Sequence, residues 1–331
     1  MTTITTLPDA ATPLSRESAG EAFADILDGR VPDDAVERFL TDLSVRGETS
    51  IEIAAAARAM RERMLRISAP PGAIDVCGTG GDGHHTLNIS TAVALVVAAT
   101  GVPVAKHGNR AASSLAGAAD TLEALGLDLD RAAAQAEDTI NTICIGFLFA
   151  NRHHPVMARI APIRRRIGRR TIFNLMGPLA NPARVTRQLV GIARPDYAPI
   201  YAEALDELGV EAALVVAGED GLDELTPAAP SRIVSLGCID APERVVPEDL
   251  GLRRHPLSEI RGRDPAYNGL RLRQLLAGEP GAYRDTVLLN AAAALVVAGT
   301  VDGLREGATR AAEAIDKGAA LDLLRRWIAW A

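Results

Sequence analysis

Three short stretches carry residue types that can do chemistry. The first, Ala-Ile-Asp-Val-Cys-Gly-Thr-Gly-Gly-Asp-Gly at 73–83, is an apolar strand pattern running into a glycine turn, with a helix-like stretch opening at Thr86-Leu87-Asn88-Ile89-Ser90-Thr91. Bare backbone N–H groups at such a turn close around an anion at a helix N-terminus, where the helix dipole also favours negative charge. The second, Lys106-His107-Gly108-Asn109-Arg110, follows another apolar strand pattern, Val102-Pro103-Val104-Ala105. Gly78, Gly80 and Gly83 satisfy G-x-G-x-x-G, but a dinucleotide site also wants an acidic residue about 20 positions on, and residues 83–119 contain none. The cations and amide of the second stretch suit a phosphorylated ligand instead. The third stretch is Gly218-Glu219-Asp220-Gly221 with Asp223-Glu224, after the apolar run Ala213-Leu214-Val215-Val216. An acidic pair there is either an ordinary surface turn or a hard-oxygen site for Mg2+.

The elements that must position these stretches are legible as periodicity. Phe23, Ile26 and Leu27, then Val36, Phe39, Leu40 and Leu43, then Ile53, Ala57, Met60 and Met64 mark three amphipathic helices without a strand. After the Pro70-Pro71-Gly72 hinge, strand and helix patterns alternate: 74–77 then 88–100, 102–105 then 116–125, a strand over 142–149, 188–192 then 197–208, and 213–217. Such alternation predicts an α/β protein with a mainly parallel central sheet, and consecutive parallel strands set the first two glycine-bearing turns side by side at the sheet's carboxyl edge. The apolar runs 92–99 and 291–298 read as buried helices. A helical stretch from His154-Pro155 through Arg166 to Gly168 interrupts the alternation.

Composition narrows the class. The chain has 331 residues, 48% of them hydrophobic and only 3% aromatic, so its core is built mainly from Ala, Leu, Val and Ile. A formal net charge of −7 argues against general nucleic-acid binding, which uses a basic surface. Cys77, Cys144 and Cys238 sit singly, without zinc or disulfide spacing, which suits a reducing cytosol. The first 20 residues lack signal-peptide character and no apolar run approaches the ~18 residues of a membrane span, so neither targeting nor membrane attachment is expected. The pairs His84-His85 and His153-His154 are poor metal candidates, because adjacent histidines point in different directions on most backbones. Most of the charge in Arg164-Arg165-Arg166 and Arg169-Arg170 reads as a solvated helix face.

Taken together with Arg170-Thr171-Ile172-Phe173-Asn174-Leu175-Met176-Gly177-Pro178-Leu179-Ala180-Asn181-Pro182, the motifs above resemble, in order and spacing over 73–331, those of the anthranilate phosphoribosyltransferases of tryptophan biosynthesis. The resemblance implies a small helical domain, 1–72 joined in space by about 154–184, and a larger α/β domain, 73–153 and 185–331, with the active site in the crevice between them. It implies transfer of the phosphoribosyl group of phosphoribosyl pyrophosphate (PRPP) to the amino group of anthranilate, two Mg2+ ions per site, a cytoplasmic homodimer, and no nucleic-acid or membrane partner. Carried over by motif, Lys106, Asn109 and Arg164 are the catalytic residues, and Gly78, Asn109 and Arg164 hold anthranilate. PRPP falls to Gly78, Gly81, Asp82, Thr86, Asn88, Ile89, Ser90, Thr91, Lys106, His107, Gly108, Asn109, Arg110, Ala111, Ala112, Ser113, Ser114 and Ala118, and the metal to Ser90, Asp223 and Glu224. An aromatic amine is already neutral at pH 7, so no strong base is required.

One stretch departs from the family pattern. Where family members carry Lys-Ser-Gly-Ser, this chain has Leu115-Ala116-Gly117-Ala118, one cation and two hydroxyls fewer. A pyrimidine nucleoside phosphorylase-like enzyme, or a divergent ligand-binding relative without activity, is the alternative reading.

Overall fold

The computed structural model describes residues 6–111 and 114–330. Three helices open the chain: α1 (Arg16–Leu27), α2 (Asp33–Arg46) and α3 (Ser50–Arg63). Each starts where a polar group or proline releases the first turn. The clearest case is α3, where Thr49 accepts from Glu52 N and the Glu52 carboxylate accepts from Thr49 N, a reciprocal cap.

The α/β part then begins with β1 (Ile74–Gly78), α4 (Ile89–Ala99), β2 (Val104–Gly108), α5 (Ala118–Ala124), α6 (Leu129–Ala134), α7 (Ala136–Ile143) and β3 (Ile145–Phe149). The chain crosses back over the helices as α8 (Ala150–His153), α9 (Met157–Ile167) and α10 (Met176–Leu179), and α9 ends at Gly168, whose φ is +65°. It re-enters the sheet as β4 (Arg187–Gly191), followed by α11 (Ala198–Glu207), β5 (Ala212–Gly218), β6 (Ser231–Leu236) and β7 (Arg244–Val245). Four helices finish the fold: α12 (Pro265–Leu276), α13 (Ala282–Val297), α14 (Leu304–Asp316) and α15 (Ala319–Trp330).

The strand order is β3-β2-β1-β4-β5-β6-β7, parallel from β3 to β5 and antiparallel at β6 and β7. Its direction of growth reverses at β1, which lies between β2 and β4. That reversal opens a crevice beyond the carboxyl ends of the strands, the usual ligand position of a doubly wound sheet.

Alternation along β5 shows how the sheet serves two cores. Leu214 and Val216 join the core formed with α4, α13 and α15, whereas Ala213, Val215 and Ala217 join the core formed with α1, α3, α9 and α11. Helix α13 is buried around most of its circumference, as a central helix must be. It meets α14 at backbone distance, since a Cβ on Gly307 would lie 2.8 Å from Ala292 Cα.

One expectation fails locally, and two strands go unread. Residues 142–149 are not one strand: α7 runs to Ile143, Cys144 turns at φ +63°, and only 145–149 extend. Ile140 and Ile143 pack as a helical face with Ala136, and a short apolar run cannot separate that from a strand. Strands β6 and β7 carry no clear pattern, because a buried position of β6 is the polar Ser231 and β7 is only two residues long.

The strand ends are packed tightly at β4. A Cβ on Gly191 would lie 1.7 Å from the backbone oxygen of Asp223, so Gly191→Ala must push the loop after β5 away. Overpacking of this kind costs about 1–3 kcal/mol. The expected result is a lower unfolding midpoint in urea, and a midpoint equal to that of the unsubstituted chain would show that the loop adjusts freely.

Candidate active site

A cavity of about 360 Å3 occupies the crevice at the carboxyl ends of β1, β2 and β5. Its wall is made by residues 77–83, 85–91 and 106–111, with Ser114, residues 116–118, Ala150, Asn174, Gly177, Asp223 and Glu224. Every described residue that the motifs assign to PRPP, anthranilate or metal lines it, apart from Arg164; Ala112 and Ser113 lie outside the described residues.

The glycine turn is possible only because of its residue type. Gly80, Gly81 and Gly83 have φ of +67°, +78° and +78°, and a Cβ on Gly78 would lie 2.5 Å from an Asp223 carboxylate oxygen. That carboxylate accepts from Gly80 N at 2.7 Å, while Asp82 accepts from His84 N at 3.0 Å.

Helix α4 opens against the turn without a side-chain cap. Its N-cap residue, Asn88, spends its amide elsewhere: Nδ2 donates to Ala116 O, and Oδ1 accepts from Thr121 Oγ1 and Asn268 Nδ2. Thr91 Oγ1 is buried with no partner. An uncapped helix start, bare glycine amides and an unpartnered hydroxyl on one wall form a cradle for an anion.

Charge is distributed unevenly around this cradle. Lys106, 3% exposed, donates from Nζ to His107 O. Below it Asp75 is fully buried, accepting from His107 N and Asn181 Nδ2; burial raises its pKa while the Lys106 charge draws it down. Across the cavity stands the acidic pair, Glu224 buried and Asp223 half-buried. Burial first, then the Asp82 charge, pushes the Asp223 carboxyl up to about 7; burial and the Asp223 charge push Glu224 well above the carboxylate range.

The ionised pair would place two negative charges beside Asp82, an arrangement that a divalent cation would stabilise. Among the described residues no three His, Cys, Asp or Glu side chains converge as a preformed metal site. An ion here would therefore complete its shell with ligand oxygens, the habit of Mg2+.

Arg110 lines the cavity, but its guanidinium is held by Asp120 and Glu123. Asp120 also accepts from Ala111 N and Gly117 N, bracing both ends of the following loop. In the departing stretch, Ala116 is buried, Ala118 opens α5 on the cavity wall, and Leu115 points outward at 57% exposure. The missing hydroxyls thus belong to the wall and the missing cation to its outer edge. Arg164 stands apart on α9, half-buried, and its pKa is lowered with burial as the only cause. No carboxylate pairs with it among the described residues.

Motif reading gave no role to Asn174 and Gly177 on the cavity wall, or to His154 beneath it. His107 Nδ1 donates to Gly177 O at 2.8 Å, so its Nε2 carries the lone pair and accepts from His154 Nε2 at 3.2 Å. Nothing in the linear spacing pairs His107 with His154; their strands and crossing helix do.

The comparisons agree with this geometry. Residues 70–321 match the family described as "Glycosyl transferase family, a/b domain", and residues 4–64 match "Glycosyl transferase family, helical bundle domain". The anthranilate phosphoribosyltransferase of Novosphingobium aromaticivorans is 62% identical over 328 residues, covering 98% of this chain and 99% of that protein. The chain belongs to the anthranilate phosphoribosyltransferase family. Among solved members of this family, that of Thermus thermophilus is 43% identical with a TM-score of 0.92, over 97% of this chain and 96% of its own. The Saccharomyces cerevisiae member, solved in complex with PRPP and Mg, is 28% identical with a TM-score of 0.84, over 96% and 93%.

The histidine pair makes the fold sensitive to acid. Burial lowers His154 to about 4 and His107 well below its ordinary value. The unfolded chain then takes up protons first as pH falls, so this contribution to stability is present above about 6.5 and is lost toward about 4. Thermal unfolding should show a drop in midpoint between neutral pH and pH near 5 that is smaller in His154→Gln. An equal drop in both proteins would remove the pair as its source.

Proposed function

We propose that this chain transfers the phosphoribosyl group of PRPP to the amino group of anthranilate and releases pyrophosphate. The observation that carries the reading is the joining, in one cavity, of an anion cradle, a buried lysine and an acidic pair whose Glu224 is buried, in a chain with this family's motifs. The bond from ribose C1 to the pyrophosphate oxygen breaks, a bond from C1 to the anthranilate nitrogen forms, and the amine gives up one proton. Since the amine is neutral, the protein's task is alignment and stabilisation of the departing charge.

In this reading the glycine turn and the start of α4 receive the phosphates, with Lys106 as the buried cation. Asp223, Glu224 and the Ser90 hydroxyl hold Mg2+, two ions by resemblance, which would neutralise the pyrophosphate. Asn109 and Arg164 orient anthranilate against Gly78. Arg164 is supported by its unpaired guanidinium on the helical side, which can meet a carboxylate with two parallel hydrogen bonds. We place the helical domain at 1–72 with about 154–184, supported by the shared core of α1, α3, α9 and α10. A homodimer through that domain is supported by the resemblance. A cytoplasmic location is supported by the resemblance; among the described residues no helix is long and apolar enough to cross a membrane.

The direct test is anthranilate fluorescence, which should fall only when PRPP and Mg2+ are both present; phosphorolysis of a pyrimidine nucleoside without such a fall would replace the reading. Arg164→Ala should raise the anthranilate KM by about one to two decades, since a charge-assisted hydrogen bond contributes about 1.5–3 kcal/mol, with the PRPP KM little changed. Parallel movement of both constants would return Arg164 to the solvated helix face. Glu224→Gln should lower turnover and raise the Mg2+ concentration needed for half-maximal rate; unchanged Mg2+ dependence would take Glu224 out of the metal site.

A further inference from the structure

The glycine turn is gripped from two directions. On the α/β side the Asp223 carboxylate takes the Gly80 N–H. On the helical side Arg170 Nη1 donates to Gly81 O at 3.2 Å. Arg170 lies between α9 and the short turn Ile172–Asn174, outside any helix, contrary to its reading as part of a solvated helix face. Its own backbone is anchored: Arg170 O accepts from Ser44 Oγ of α2 at 2.7 Å, and the next N–H, of buried Thr171, donates to Asn174 Oδ1 at 3.0 Å. The guanidinium fits flush against the turn, since a Cβ on Gly81 would lie 2.8 Å from Arg170 Nη1. Arg170 forms no ion pair among the described residues and is not part of the cavity wall.

The consequence follows from peptide geometry. Gly81 C=O and Asp82 N–H belong to one planar trans peptide and point in opposite directions. Holding the carbonyl toward the helical side therefore sets the direction of the Asp82 N–H. With three positive-φ glycines nearby, little else in the local chain would set it.

We propose that Arg170 is a positioning residue for the phosphate-binding turn: it orients the Gly81–Asp82 peptide and ties it, through Ser44, to the helical core. Arg170 acts through the turn, and its contribution is to binding of the phosphorylated substrate. The inference rests on the transferase reading for its substrate, although the turn's affinity for an anion can be measured without turnover.

The test compares Arg170→Ala, Arg170→Lys and Ser44→Ala with the unsubstituted chain, by steady-state kinetics and by calorimetric titration with pyrophosphate and Mg2+. Arg170→Ala should raise the PRPP KM roughly tenfold and weaken pyrophosphate binding in step, with the anthranilate KM within about twofold. Arg170→Lys should recover most of the loss, because an ammonium can still donate to Gly81 O, and Ser44→Ala should move the same constants less. An unchanged PRPP KM and pyrophosphate affinity in Arg170→Ala would overturn the proposal. So would a loss that Lys does not rescue and that tracks a fall in unfolding midpoint. If the unsubstituted chain consumes no anthranilate, the transferase reading fails, while the pyrophosphate titration still decides the role of Arg170.

Discussion

The close approach of the Asp223 segment to the ends of β1 and β4 is the constraint on which the site depends. Asp223 touches the places where Gly78 and Gly191 have no side chain, and its carboxylate closes onto the Gly80 N–H. Three strands that enter from different parts of the chain thus end within contact of one another. A methyl group at either glycine would separate the acidic pair from the anion cradle, so the missing Cβ atoms are as much a part of the site as the charged groups.

Electrostatics in this small volume explain the residue choice around it. Asp75 beneath Lys106 gives a buried ammonium a counter-charge of opposite sign, and Asn181 and the His107 amide complete the hydrogen bonding of that carboxylate. Asp223 accepts from the Gly80 N–H, and no cation forms an ion pair with Asp223 or Glu224 among the described residues. Burial first, then neighbouring carboxylates, raises the pKa of both, with Arg170 drawing Asp223 down and Lys106 drawing Glu224 down.

Several polar side chains near the cavity serve the scaffold. Asn88 is surrounded by partners from α5, α12 and the loop before α5, and Tyr283 donates to its carbonyl. Its amide braces the walls against one another, and leaving the first turn of α4 uncapped is the result. Asp120 does the same for the loop after β2, with Arg110 as its counter-ion. A family motif names such residues beside the substrate-facing ones, because both are needed and neither is distinguishable by type.

The sequence by itself determined the helical start, the change to alternating strands and helices at the Pro-Pro-Gly hinge, the glycine turn and the acidic pair. Each of these is a local matter of periodicity, φ freedom or charge type, readable within a dozen residues. The end of α7 and the strands β6 and β7 were not readable, since a short apolar run fits either period, a buried position of β6 is the polar Ser231 and β7 is only two residues long. What only the tertiary structure decided is partnership across distance. Gly191 receiving Asp223, His154 meeting His107, and Arg170 reaching the Gly81 carbonyl each join residues that strand order and the crossing of α9 and α10 bring together. Such contacts depend on the packing of whole elements in three dimensions, and no spacing along the chain encodes them.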